Sequence, residues 1–75
     1  MTLSELSKNQ QACISYLPNN LTLSAQLIEQ GFALKTNISL AHKAPFNGPL
    51  AFRLHGTKMC LPFEIAKQIE VELLN

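Results

Sequence analysis

Histidine and cysteine are the residues of this chain best suited to hold a metal ion, and each occurs twice. His42 and His55 lie on two segments that a hairpin between them would pair, and together they would supply half of a metal site. Stable sites take three or four ligands, and no carboxylate or thiolate stands at ligand spacing beside either histidine. We therefore predict no metal site and interpret both histidines as polar residues on outer strand faces. His42 and His55 are the residues that a weak iron or zinc contact would use.

Catalytic groups are not arranged for a reaction. Aspartate is absent, and the five carboxylates are glutamates at positions expected to face solvent: Glu5, Glu29, Glu64, Glu70 and Glu72. No pair of carboxylates is spaced for acid–base work, and no serine stands in a Gly-x-Ser-x-Gly elbow. A glycine-rich phosphate loop is missing as well. The sequence predicts a protein that is not an enzyme and carries no cofactor.

Length and composition indicate one small domain over residues 1–75. Hydrophobic residues make up 47% of the chain and charged residues 15%, a balance that disfavours disorder. The formal net charge is +1, and the six cations are spread along the chain without a cluster. Nucleic-acid binding through phosphates normally requires a basic stripe, so we predict no nucleic acid partner. The sequence shows no signal peptide and no apolar run long enough to span a bilayer, which predicts a cytoplasmic protein without direct membrane insertion.

Apolar patterning predicts a mostly β fold, a small SH3-like barrel of about five strands. One short α-helix follows the first strand, and a helical turn precedes the last. The predicted strands cover residues 12–17, 36–44, 50–55, 58–61 and 69–73. Pairing of the last strand with the first would close the sheet and remove its edges.

Alternation along the strands predicts which side chains face the core. Ala12, Ile14 and Tyr16 share one face of the first strand, and His42 continues a face with Ile38 and Leu40. Leu3 and Leu6 are expected to anchor a short lead-in against the barrel. These assignments assume an unbroken alternation of two residues.

The helix at residues 23–31 has clear end signals. Asn20 or Thr22 can cap its N-terminus, and Gly31 suits the left-handed position past its C-terminus. Leu23, Leu27 and Ile28 form its apolar stripe, with one of the last two expected at the stripe's edge.

Two tight turns join the middle strands. Residues 45–49 form a hairpin connection centred on Asn47-Gly48, and Gly56-Thr57 forms a second turn. An aromatic residue at the hairpin tip has two interpretations. Phe46 either anchors a partner protein from an exposed turn or folds down to plug one end of the barrel.

The order of these motifs resembles the FeoA family of bacterial ferrous iron uptake, from about residue 3 to residue 71. The helix end Leu-Ile-Glu-Gln-Gly-Phe at 27–32 is similar to the family's Leu-x-x-x-Gly-hydrophobic pattern. Residues 44–50, Ala-Pro-Phe-Asn-Gly-Pro-Leu, resemble its Ala-Pro-x-Gly-x-Pro-hydrophobic hairpin. Gly56, Leu61 and the close Ala66-x-x-Ile69-x-Val71 follow in order.

The resemblance implies an accessory protein of iron transport that docks on the cytoplasmic GTP-binding part of a FeoB-like membrane transporter, or on a third small Feo protein. Leu27, Phe32, Phe46 and Asn47 are the residues expected to contact that partner. Two alternatives stay open at this point. One is a metal-sensing SH3-like module that binds ferrous iron directly through His42, His55 or Cys13, and the other is a small barrel that binds nucleic acid.

Overall fold

Five antiparallel strands form one sheet in the computed structural model, which describes residues 1–74. A 3-10 turn at Leu3–Glu5 leads into the elements of the fold. In chain order these are β1 Gln11–Tyr16, α1 Leu21–Glu29, β2 Asn37–Lys43, β3 Leu50–Leu54, β4 Thr57–Leu61, α2 Phe63–Ala66 and β5 Glu70–Leu73. The mostly β class, the helix after the first strand and the helical turn before the last strand are confirmed.

The predicted pairing of the first and last strands is present. Ile14 of β1 lies opposite Val71 of β5, and the hydrogen-bonded order runs β4-β3-β2-β1-β5. This order leaves β5 at an end of the sheet, so strand pairing alone does not remove its edge. The N-terminus covers that edge instead: the Val71 N–H donates to the Met1 carbonyl at 2.8 Å, and the Leu3 N–H donates to the Ile69 carbonyl at 2.8 Å.

Helix α1 is defined at both ends by side-chain and backbone hydrogen bonds. The Asn20 side-chain oxygen accepts from the Leu23 N–H at 3.0 Å, which confirms the first of the two expected caps. At the other end the Phe32 N–H donates to the Leu27 carbonyl at 2.8 Å, and the Gly31 N–H donates to the Ile28 carbonyl at 3.0 Å. This pair of bonds is a Schellman motif, and Gly31 takes the left-handed φ of 105° that the motif favours.

The core lies between the sheet, α1 and the two short helical segments. Phe32, the last residue of the Schellman motif, packs edge-on against Phe52 of β3 with ring centroids 6.5 Å apart. Leu3 and Leu6 are fully buried, which confirms that the N-terminal lead-in is anchored to the barrel. Aromatic pairs in this orientation add to the free energy of burial, so this contact stabilises the join between α1 and the sheet.

Two β-bulges correct the predicted strand faces. The register of β1 shifts between Ile14 and Tyr16, and Tyr16 is 70% exposed instead of continuing the buried face. The register of β2 shifts between Leu40 and His42, so Ala41 is buried in the place expected for His42. An inserted residue turns the side chains beyond it to the other face, which is why unbroken alternation fails at both points.

We expect Gly31→Ala to lower the free energy of unfolding by about 1–2 kcal/mol, because a residue with a Cβ atom disfavours a left-handed backbone. A Cβ at this position would also lie 3.3 Å from the His55 Cδ2 and 3.4 Å from the Leu54 Cδ1. Gly56→Ala is the matched control, because Gly56 has a φ of 72° and nothing within 4 Å of an added Cβ. Urea unfolding should show the larger loss at Gly31. An equal loss at both glycines would show that the contact with β3 contributes nothing.

Candidate functional site

The connection between β2 and β3 presents two of the residues predicted to contact a partner, Phe46 and Asn47. The Gly48 N–H donates to the Pro45 carbonyl at 3.1 Å, which closes a four-residue turn. Phe46 and Asn47 both have a φ of 57°, and two successive left-handed residues at the centre define a type I′ turn. The turn is therefore centred on Phe46-Asn47, which corrects the predicted centre by one residue.

Position 48, directly after the turn, requires glycine because the surrounding atoms leave no room for a Cβ, and not because the backbone there is left-handed. A Cβ at Gly48 would lie 2.9 Å from the Ala44 Cβ and 3.1 Å from the Pro45 carbonyl oxygen. Below the turn, the Ala44 N–H donates to the Pro49 carbonyl at 3.1 Å. Close packing of this backbone and two prolines with restricted φ hold the tip in one shape.

Phe46 projects entirely into solvent, with its side chain 100% exposed. The interpretation of Phe46 as a plug for the end of the barrel is therefore wrong. A bulky residue in the left-handed region costs about 1–2 kcal/mol, whereas asparagine adopts this conformation readily. The fold gains no burial from Phe46 to offset this cost. Backbone strain that no gain in burial offsets is a sign of a functional position.

Leu27 and Phe32 occupy the core instead of the surface. Their side chains are 2% and 0% exposed, respectively. The Schellman motif brings the last turn of α1 and the residue after Gly31 together, and this apolar contact commonly accompanies the motif. The prediction that these two residues contact a partner is therefore wrong, because contact would require the core to open.

Sequence reasoning missed an apolar stripe on the outer face of α1. Leu21 is 85% exposed and Ile28 is 51% exposed, and Ala25 between them is exposed as well. Their spacing of four and three residues places all three on one side of the helix. The spacing of these residues indicates a second apolar stripe, which was missed because Ile28 was assigned to the stripe that includes Leu27.

A groove of about 450 Å³ lies where β1 and β5 meet the loop after α1. Leu34, Leu73 and Leu74 line it and are 55%, 44% and 40% exposed. Leu73 is exposed although it follows the buried Ile69 and Val71 at a spacing of two residues, so the alternation of β5 ends at Val71. Cys13 lines the same groove as a free thiol.

The two histidines do not form a common site. His42 lies on β2 opposite Ala51, whereas His55 lies past the end of β3 in the His55-Gly56 turn. This turn starts one residue before the predicted one and removes His55 from the strand. His55 comes four positions after Ala51, a distance of about 13 Å along an extended chain. Within residues 1–74 no three His, Cys, Asp or Glu side chains converge on a common metal position.

One carboxylate has a displaced pKa, and its cause is local. The Thr2 backbone N–H donates to the Glu5 Oε1 at 2.7 Å, and the Thr2 hydroxyl donates at 3.3 Å. These bonds favour the charged form and lower the pKa of Glu5. The pair caps the start of the 3-10 turn, so it stabilises the local fold. Across the 74 described residues, no helix has the length and apolar character needed to cross a bilayer.

The five-stranded antiparallel sheet, with one helix after the first strand and a helical turn before the last, defines a small barrel of the SH3-like class. The model of the FeoA domain family matches residues 1–73, and this chain belongs to the FeoA family, which is linked to ferrous iron transport.

A curated relative and two solved structures show the same relationship. The chain is 32% identical over 75 residues to the Fe(2+) transport protein A/Fe(2+) transporter FeoB fusion protein of Porphyromonas gingivalis, of which it spans only 9%. FeoA of Stenotrophomonas maltophilia, a prokaryotic SH3 domain protein solved with zinc, is 28% identical with a TM-score of 0.81, covering 96% of this chain and 89% of that one. A FeoA-like protein of Clostridium acetobutylicum is 27% identical with a TM-score of 0.87, covering 100% and 87%.

Proposed function

We infer that this protein is a cytoplasmic accessory of bacterial ferrous iron uptake that docks on the GTP-binding part of a FeoB-like transporter. The observation that carries this proposal is Phe46, a fully exposed aromatic residue held in a left-handed conformation at the tip of a fixed hairpin. The protein acts by binding, and the hairpin tip is the part of its surface that contacts the transporter.

The chemistry of the tip suits an anchor. Burying one large apolar side chain in a partner's pocket contributes about 2–3 kcal/mol to binding. Aromatic residues that insert into such pockets commonly supply much of the energy of an interface. Because the turn already fixes the backbone at Phe46, little backbone entropy is lost when the residue binds. Asn47 stands beside it with a side-chain amide that can hydrogen-bond to the rim of the pocket.

The fusion protein of Porphyromonas gingivalis supports the choice of partner. In that protein the Fe(2+) transport protein A and the FeoB transporter share one polypeptide, so the two parts stay at a high effective concentration. Two parts kept this close meet through their surfaces, which favours an exposed anchor such as Phe46 on this chain.

The test is an isothermal titration of the purified protein into the soluble GTP-binding part of the FeoB-like transporter from the same genome. Parallel titrations use the GDP-bound and GTP-analogue-bound forms, and a third small Feo protein is titrated as the alternative partner. We expect saturable binding to the GTP-binding part in at least one nucleotide state. Absence of binding in both states would contradict the proposal, as would binding to the third protein alone.

A further inference from the structure

Four residues form a polar and basic row across the outer face of the sheet. Gln11 of β1 lies opposite Ser39 of β2, Ser39 lies opposite Arg53 of β3, and Arg53 lies opposite Lys58 of β4. Side chains of directly opposed residues lie on the same face of a sheet. We call these four residues the basic row. Their face is opposite to the one that carries the core residue Phe52.

Part of the basic row lines a concavity of about 200 Å³. Gln11, Ser39 and Arg53 contribute to its wall, and Asn37 and His55 extend it toward the end of the strands. Every one of these side chains carries a group that can donate a hydrogen bond: two amides, a hydroxyl, a guanidinium and an imidazole. A concave surface lined by donors favours a ligand with several acceptor oxygens.

The permanent charges of the basic row have no acidic partner within residues 1–74. The two ion pairs there join the Met1 amino group to Glu70 and Lys67 to Glu64, and neither involves Arg53 or Lys58. The acidic β5 residues on this side of the sheet, Glu70 and Glu72, lie opposite Tyr16 and Cys13 of β1, with β1 and β2 between β5 and β3. The row is therefore a local positive surface on a chain of net charge +1.

We propose that the basic row binds an acidic segment of a partner protein, held in an extended conformation. The Cα atoms of opposed residues on neighbouring strands are about 5 Å apart, and residues i and i+2 of an extended segment are about 7 Å apart. Two carboxylates in an acidic-x-acidic pattern can therefore reach Arg53 and Lys58 together. The planar guanidinium of Arg53 can pair with its carboxylate through two hydrogen bonds.

The width of the row favours a peptide over other anions. Four strands span about 14 Å, which is wider than a single phosphate ion but matches about four residues of extended chain. Two permanent charges neutralise too few phosphates to hold a nucleic acid at physiological salt. The row lies near the end of β3 far from the Phe46 hairpin, so this inference stands independently of the proposed function.

The test follows backbone amide shifts of the isotope-labelled protein by NMR at low salt. The probe is the peptide Gly-Ser-Asp-Ser-Asp-Ser-Gly, and its twin carries asparagine in place of both aspartates. Inorganic phosphate and a short single-stranded RNA are titrated separately. We expect the acidic peptide to shift the amides of Ser39, Arg53 and Lys58, with binding weakened by added salt. The asparagine twin should cause no such shifts.

A double variant, Arg53→Gln with Lys58→Gln, should weaken binding of the acidic peptide about tenfold. Lys43→Gln, an exposed cation at the other end of β2, is the matched control and should change it less than twofold. Arg53 and Lys58 are both exposed, and thermal unfolding checks that the double variant stays folded. Lys58→Gln alone gives a second, milder test. Equal binding of the asparagine twin, an equal loss in Lys43→Gln, equal shifts with phosphate alone, or tighter binding of RNA would each overturn the proposal.

Discussion

Phe46→Asn is expected to make the protein more stable and less able to dock on its partner. Asparagine adopts the left-handed conformation at lower cost than phenylalanine, so relief of strain should raise the free energy of unfolding by about 0.5–1 kcal/mol. The same change removes an anchor whose burial contributes about 2 kcal/mol or more to docking. Affinity for the GTP-binding part of the transporter should therefore fall about thirtyfold. If Phe46 is a strained functional residue, its replacement should raise the free energy of unfolding and lower the affinity for the partner.

Urea unfolding and isothermal titration measure the two effects on the same preparation. Leu21→Asn is the matched control, because Leu21 is 85% exposed and lies at the start of α1 instead of at the hairpin. It removes a comparable amount of exposed apolar surface and should leave the affinity unchanged. A Phe46→Asn protein that binds as tightly as the wild type would show that the hairpin tip makes no contact with the partner.

Phe32→Ala is expected to have the largest effect on stability, a loss of about 3–5 kcal/mol. The side chain is fully buried and packs edge-on against Phe52, so its removal leaves a cavity and ends the aromatic contact. Small domains have total stabilities of about 5–15 kcal/mol, and 75 residues place this one toward the lower end. A substantial fraction of the variant should therefore be unfolded at 37 °C.

Circular dichroism during urea unfolding measures this loss. Leu34→Ala, two positions along the chain and 55% exposed, should cost less than about 0.5 kcal/mol. Titration of the folded fraction then separates a structural role from a contact role, because the affinity per folded molecule should equal that of the wild type. A loss of affinity without a loss of stability would show that Phe32 contacts the partner directly.

Local signals in the sequence predicted the elements of the fold. Asn20 and Gly31 mark the ends of α1 through side-chain and backbone chemistry that acts within a few residues. The alternation of Ile69 and Val71 with glutamates predicted that β5 has one buried face, and its pairing with β1 followed from the need to protect an edge. The FeoA resemblance rested on these same short patterns.

Positions that depend on more distant contacts were not predictable in this way. The bulges beside Tyr16 and His42 each insert one residue into a strand, and no residue type in the sequence marks either position. Leu27 and Phe32 were expected to contact a partner, although Leu27 belongs to the apolar stripe of α1 and Phe32 follows the glycine that ends the helix, and the structure buries both. The hairpin centre was missed because propensity disfavours phenylalanine at a left-handed position and favours glycine.

The candidate site was predictable in its chemistry but not in its extent. Phe46 and Asn47 were predicted to contact a partner because Phe46 is an aromatic residue at a turn, and its side chain is fully exposed in the structure. The basic row was invisible in the sequence, because Arg53 and Lys58 become neighbours only when β3 and β4 pair in their observed register. Scattered cations in a sequence can therefore form a local surface on a small sheet.

The most direct test of the docking account is an NMR titration of the isotope-labelled protein with the soluble GTP-binding part of the FeoB-like transporter. We predict that the amide signals at residues 45–48 and the ring signals of Phe46 change most, with the core around Phe52 unaffected. Changes confined to the groove at Leu34 and Leu73, or to the outer stripe of α1, with Phe46 unchanged, would contradict it.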